Sequence, residues 1–251
     1  EMLTKQIERR KELQNLLKQI TREEAEGIKP AWQFHCPVRI GEELDRFVKP
    51  VSGWKRRECY QHLRAYIYGD MQDRVYILYG LRRTGKTTLI RQLISEMDTA
   101  MRQQTVFIQI QDNRTLDDVN QDLKYLEKSG YRYVFMDEVT LLNDFIEGAA
   151  LFSDVFAASG MKIVLSGTDS LGFLFTEDEE LYDRCIMSHT TFIPYREFER
   201  VLGIAGIDDY IYYGGTMSMG GKHYNDSSRI FATKKSTDEY VDSAIARNIQ
   251  Q

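Results

Sequence analysis

The sequence predicts an α/β fold: a five-stranded parallel sheet covered by helices on both faces, followed by a small helical lid segment. Three observations predict it. Short apolar runs alternate with stretches of helical spacing between residues 75 and 192. One strand-to-helix junction carries Gly80-x4-Gly85-Lys86-Thr87. Another apolar run, Tyr133-Val134-Phe135-Met136, ends on two acids, Asp137 and Glu138.

Each element has its own reason. Residues 2–24 are rich in charge of both signs, with Leu13, Leu16, Leu17 and Ile20 as a short apolar stripe, and read as a helix resting one face on the core. Residues 27–53 contain three prolines and three glycines and read as an irregular connector with one helical turn near 42–47. Helical spacing returns over 54–68, where Tyr60, Leu63, Tyr66 and Ile67 share a face, and Gly69 ends it. Residues 75–79 form a buried strand and 86–97 a helix. Residues 105–110 form a second strand. Thr115 opens a helix, with Asp118 as its capping-box partner and Gly130 as its end. Residues 133–136, 162–165 and 186–192 supply the remaining strands. A helix over 143–159, closed by Gly160, and a short helix over 171–175 lie between them. The chain divides on this reading into an N-terminal helix and connector (1–53), a core (54–194) and a lid with the start of a further region (195–251).

Composition narrows the function classes. Hydrophobic residues make up 42% and charged residues 28% of 251, and no apolar stretch approaches the ~20 residues of a membrane helix. Three cysteines cannot all pair, so a cytoplasmic location and no membrane partner are expected. The net charge of −5 gives no general sign of nucleic-acid binding.

Gly80, Gly85, Lys86 and Thr87 complete the Walker A pattern, and the strand before and helix after supply its context. Glycines let successive N–H groups turn inward onto phosphate oxygens, and the helix beginning near Lys86 adds its positive end. Lys86 places a cation on the β and γ phosphates. Arg83, Thr84 and Thr88 complete the expected nucleotide-binding stretch. Arg82 and Arg83 either touch phosphate or a neighbouring subunit, or face solvent or pair with carboxylates; neither is assigned to catalysis. Thr87 is the expected Mg²⁺ ligand, with Asp137 opposite it at the strand tip where open α/β sheets bind ligands. Glu138 is placed to orient and deprotonate a water for attack on the γ-phosphate. The expected cofactors are therefore ATP and Mg²⁺. Ser166, after the 162–165 strand, is the candidate that senses the γ-phosphate, while Asp169 or Ser170 suits a helix cap.

An added strand between the two Walker strands, with a glutamate after the Walker B aspartate, resembles one division of the P-loop NTPases. Further along, Asp183-Arg184, then Pro194-Tyr195-Arg196-Glu197-Phe198, then Tyr213-Gly214-Gly215 follow in order. Together these segments resemble the prokaryotic AAA-type ATPases of the archaeal-ATPase and STAND-like group over residues 54–250. Met217 stands where that group has proline, and Val139-Thr140 where many members have Ile-Gln. The resemblance implies sheet order 5-1-4-3-2, Mg-dependent ATP hydrolysis that moves the lid, and a Sensor 1 role for Ser166. It also implies Arg184 as an arginine finger, against a plain salt bridge to the acidic run 177–180, with Arg196 and Arg200 as alternatives. A finger acting in trans requires a homo-oligomer. Two other outcomes are kept open: a low-turnover nucleotide-gated switch, and a DNA-associated ATPase acting through a C-terminal effector or DNA-binding domain beyond Gln251.

Overall fold

The computed structural model describes residues 32–71, 73–142, 152–168, 184–203, 206–213 and 215–217. The chain divides into two units, Glu1–Phe34 and His35–Gln251, and every element below belongs to the second. The expected helix over 2–24, the 171–175 helix and the acidic run 177–180 lie outside the described residues, as do Asp183 and Gly214.

The sheet has six strands rather than the expected five. They are β1 (Val38–Arg39), β2 (Val75–Gly80), β3 (Thr105–Gln109), β4 (Tyr133–Asp137), β5 (Lys162–Gly167) and β6 (Cys185–Thr190), in the order β1-β3-β4-β5-β2-β6. All neighbours from β3 to β6 are parallel, and β1 alone runs antiparallel, pairing Val38 with Ile108 and Arg39 with Phe107. A two-residue strand is too short for alternation to show in a sequence, so in sequence this edge reads as connector.

The helical turn expected near 42–47 is present within a longer helix. Helix α1 (Gly41–Val48) buries Leu44 and Val48, and a short 3-10 turn at Lys49–Val51 follows. The Arg39 guanidinium lies 4.5 Å from the Phe47 ring centroid and 5.6 Å from that of Phe107, closing the sheet edge with a cation over two rings. Helix α2 (Tyr60–Tyr68) starts six residues later than the expected 54, because Arg57 and Glu58 are engaged elsewhere.

Helices α3 (Lys86–Glu96) and α4 (Thr99–Gln103) follow β2, and α5 (Leu116–Lys128) follows β3. Thr115 and Asp118 form the expected capping box, each side chain accepting from the other's backbone N–H. Within 143–159 the structure describes 152–159, of which Phe152–Ala157 is a π-helical turn with Phe152 and Phe156 fully buried.

One core holds the site in place. Leu89, Ile90, Leu93 and Ile94 of α3 pack with Leu78, Phe107, Phe135 and Val164 of the sheet and with Leu63 and Ile67 of α2. Each such side chain contributes roughly 1.5–3 kcal/mol on burial. Beyond β6 follow helices α6 (Tyr195–Leu202) and α7 (Ile207–Tyr213), and a smaller core gathers around Ile193, Phe198, Val201 and Leu202, with Trp54, Tyr210 and Met217 packed on it.

Candidate functional site

Strand β2 ends at Gly80, the chain turns through 81–85, and α3 begins at Lys86. Two glycines are required by space. A Cβ at Gly80 collides with the Thr190 carbonyl and hydroxyl at the end of β6, and one at Gly85 collides with the Met217 sulfur. Both carry positive φ, +149° and +96°. Arg83 also has φ 62°, and its side chain is exposed. The Lys86 ammonium donates to the carbonyls of Gly80 and Leu81, both at 2.7 Å, and so lies folded over the loop. Thr84 is fully buried and donates its hydroxyl to Leu81 at 2.9 Å. Thr88 is half-buried on the first turn of α3.

The acids meet this loop at the tip of β4. Thr87 Oγ1 donates to Asp137 Oδ2 at 2.6 Å, and the Glu138 N–H donates to Asp137 Oδ1 at 3.1 Å. Asp137 is 3% exposed. Glu138 holds a left-handed backbone, φ 61°, which costs a non-glycine residue roughly 1–2 kcal/mol. Burial raises the Glu138 carboxyl above its ordinary pKa, and the charge of Asp137 raises it further, while Arg82 and Lys86 oppose both.

Sheet register brings Ser166 to the same place. Leu78 pairs with Ser166, and Met136 pairs with Leu165, so Ser166 stands beside Asp137. Side chains two apart on a strand share a face. Ser166 therefore projects on the face of Val164, and Asp137 on that of Phe135, both packed under α3. Ser166 is fully buried, and its hydroxyl has no hydrogen-bond partner among the described residues. Oxygen donors at Thr87 and Asp137 next to an orphaned buried hydroxyl suit a hard divalent cation bound with a polyphosphate.

Arg184 is not brought to this site. A residue that precedes a strand emerges at the strand's N-terminal end, whereas the loop lies at the C-terminal ends. Cys185 pairs with Val75 and Thr190 with Gly80, which sets Arg184 about 20 Å from the loop at ~3.3 Å per residue. Its guanidinium pairs with Asp154 at 3.0 Å. The finger expected there is corrected on this ground for the pocket of its own chain. Arg196 is exposed, and Arg200 donates to the Arg56 carbonyl at 3.0 Å. The Arg82 charge opposes the rise in the Glu138 pKa, and the Arg82 Nε is buried without a partner among the described residues.

Sequence reasoning missed Arg57. It is 5% exposed, donates to the carbonyls of Thr84 at 2.7 Å and Thr191 at 3.2 Å, and forks onto both oxygens of Glu197 at 3.3 Å. The signal was present on α6: Glu197 falls on the apolar stripe with Phe198 and Val201, and a carboxylate on a buried face requires a partner. Nothing local in the sequence points to Arg57 as that partner, 140 residues away.

A protein-family model described as AAA domain matches residues 72–199, just over half of the chain. No curated protein matches. Solved structures similar to this chain include Hsp104 in a closed-state cryo-EM reconstruction with ATPγS and FITC casein, at 16% identity, covering 70% of this chain and 34% of that one, TM-score 0.49. An extended conformation of the Saccharomyces cerevisiae Hsp104–casein complex is similar at 15% identity over 82% of this chain and 41% of that one, TM-score 0.49. Caenorhabditis elegans PCH-2 is similar at 14% identity over 83% and 69%, TM-score 0.39. The chain thus spans less than half the length of either Hsp104 chain.

Proposed function

The chain belongs to the AAA domain family of P-loop ATPases, and from that premise we propose that it binds Mg-ATP at the loop from Gly80 to Thr88 and hydrolyses the γ-phosphate. The observation that carries this reading is the 2.6 Å contact of the Thr87 hydroxyl with Asp137, with Glu138 held beside it in a strained backbone. Strain at such a position is characteristic of functional sites.

In this reading the amides of 84–88 close around the phosphates, with Gly80, Arg83, Thr84, Gly85 and Thr88 lining the chain's path. Lys86 leaves the Gly80 and Leu81 carbonyls for the β and γ oxygens. Thr87 and Asp137 would hold Mg²⁺, which supplies charge neutralisation between the β and γ phosphates. Glu138 accepts a proton from a water aligned with the γ-phosphorus. The water oxygen forms the new bond to phosphorus as the bond to the β-bridging oxygen breaks, and ADP leaves with that electron pair. The raised proton affinity of Glu138 strengthens it as a base. Ser166 offers its orphaned hydroxyl to the γ-phosphate or to the attacking water.

Residues 54–194 act as the ATPase core and 195–251 as the lid that hydrolysis moves, with an attached domain using that motion. Three free cysteines fit a cytoplasmic setting. No helix among the described residues is long and apolar enough to cross a membrane. A second reading, a nucleotide-gated switch with low turnover, draws support from the position of Arg184, which leaves the pocket without that arginine.

Steady-state phosphate release separates the two. Release that disappears in Glu138→Gln while ATP binding persists supports hydrolysis. Tight ADP retention with negligible release supports the switch. No ATP or ADP binding at all overturns both.

A further inference from the structure

A phosphate cradle built from inward N–H groups turns its carbonyls outward, and each outward carbonyl needs a donor of its own. At Thr84, a fully buried residue just before Gly85 and Lys86, that donor is the Arg57 Nη1, at 2.7 Å. Arg57 is itself not free to move. Glu197 of the lid helix α6 takes its Nε and Nη2, both at 3.3 Å, and the pair is 5% and 4% exposed. Glu197 also accepts the Glu58 N–H at 2.7 Å. A third contact runs in parallel: the Met217 N–H donates to the Arg83 carbonyl at 2.9 Å, and Met217 packs on the α6 core. The back of the loop is therefore held at two consecutive carbonyls, that of Arg83 by Met217 on the lid side and that of Thr84 by Arg57, which Glu197 of α6 grips.

We propose that Arg57 is a positioning residue for the phosphate cradle, and that Glu197 couples the cradle to α6 so that α6 reports its occupancy. The proposal rests on the nucleotide-binding reading above. A bidentate fork between planar groups is stiff in direction as well as distance. When phosphate draws the 84–88 amides inward, the Thr84 carbonyl reorients with them. Arg57 follows the carbonyl, Glu197 follows Arg57, and α6 moves with Glu197. In the opposite sense, an α6 docked through Glu197 holds the cradle open-mouthed for phosphate before it arrives, which removes an ordering cost from binding.

The test is hydrogen exchange of the full 251-residue chain with and without Mg-ATP, together with ATP affinity by titration calorimetry. In the unaltered chain ATP is expected to slow exchange at both 84–88 and 195–202. Glu197→Gln is expected to weaken ATP binding about 10-fold or more, the scale of one charged hydrogen bond. It is also expected to abolish the response at 195–202 while that at 84–88 persists. A lone buried charge left in Glu197→Gln risks unfolding, so the double variant Arg57→Gln/Glu197→Gln, which leaves no unpaired charge, is measured beside it with the same expectation. A purely structural ion pair would lower melting temperature yet leave ATP affinity within about twofold and the 195–202 response intact, and that result in a folded variant overturns the proposal. So does an unaltered chain in which ATP protects 84–88 but not 195–202. Failure of ATP to protect 84–88 in the unaltered chain instead removes the nucleotide-binding reading, and this proposal with it.

Discussion

Thr87 and Asp137, 50 residues apart, meet through a 2.6 Å hydrogen bond that joins the first turn of α3 to the tip of β4. The contact requires the order β4-β5-β2, which brings the loop after β2 over the end of a strand that is not its neighbour. The predictions below depend on that convergence.

Lys86→Ala is expected to weaken ATP binding by ~100-fold or more, since two charge-assisted phosphate contacts are lost. Calorimetric titration measures it. An unchanged dissociation constant would place the nucleotide elsewhere.

Glu138→Gln is expected to lower turnover by about 10²–10⁴-fold with ATP binding retained, the usual scale for a removed general base. The same variant should melt higher than the parent near neutral pH. The sign follows from linkage: the folded Glu138 pKa is raised, so its contribution to stability is full below the unfolded carboxylate pKa and is lost as pH rises through the folded value. Glutamine removes that loss. The melting difference should shrink as pH falls below the ordinary glutamate range; a constant difference at all pH values contradicts the assignment.

The acidic limb of kcat/KM should lie above the ordinary glutamate pKa, because burial and Asp137 both raise Glu138. Arg82 opposes that rise, so Arg82→Ala should move the limb to still higher pH. A limb that stays in place in Arg82→Ala would show that the two charges do not interact in the working enzyme.

Ser166→Ala removes a buried hydroxyl that has no partner among the described residues. Stability without nucleotide should change by less than about 1 kcal/mol, or rise. Turnover should nonetheless fall, by about 10-fold if one contact to the reacting groups is lost. Equal turnover in the two proteins rejects the sensing role.

Arg184→Ala should cost at most about 1 kcal/mol, as expected for a partly exposed pair with Asp154, and leave kcat unchanged. Chemical denaturation and phosphate release check the two halves of this expectation.

The parts of the site that lie next to each other in sequence were legible there. A glycine loop between strand and helix, and a carboxylate pair after an apolar run, each carry their chemistry within a few residues. Gly80, Lys86, Thr87 and Asp137 stand in the structure at the junctions where those patterns placed them. Arg184 illustrates the limit. The pattern placed it next to a strand, but which end of the strand it occupies relative to the pocket depends on strand direction and register, and these set it at the end away from the loop. Strand β1 was hidden for a different reason: two residues show no alternation, whereas helix α1 contains the helical turn expected near 42–47.

The sequence by itself determined the alternation of strands and helices, the glycine loop between a strand and a helix and the acids after an apolar run, because those depend on local periodicity and on residue chemistry at fixed short spacing. Only the tertiary structure decided that Arg57 and Glu197 share a buried fork, that the Ser166 hydroxyl is sealed beside Asp137, and that Arg184 stands at the end of β6 away from the loop. Those relationships span many residues, and burial and register, which no short window contains, bring them about.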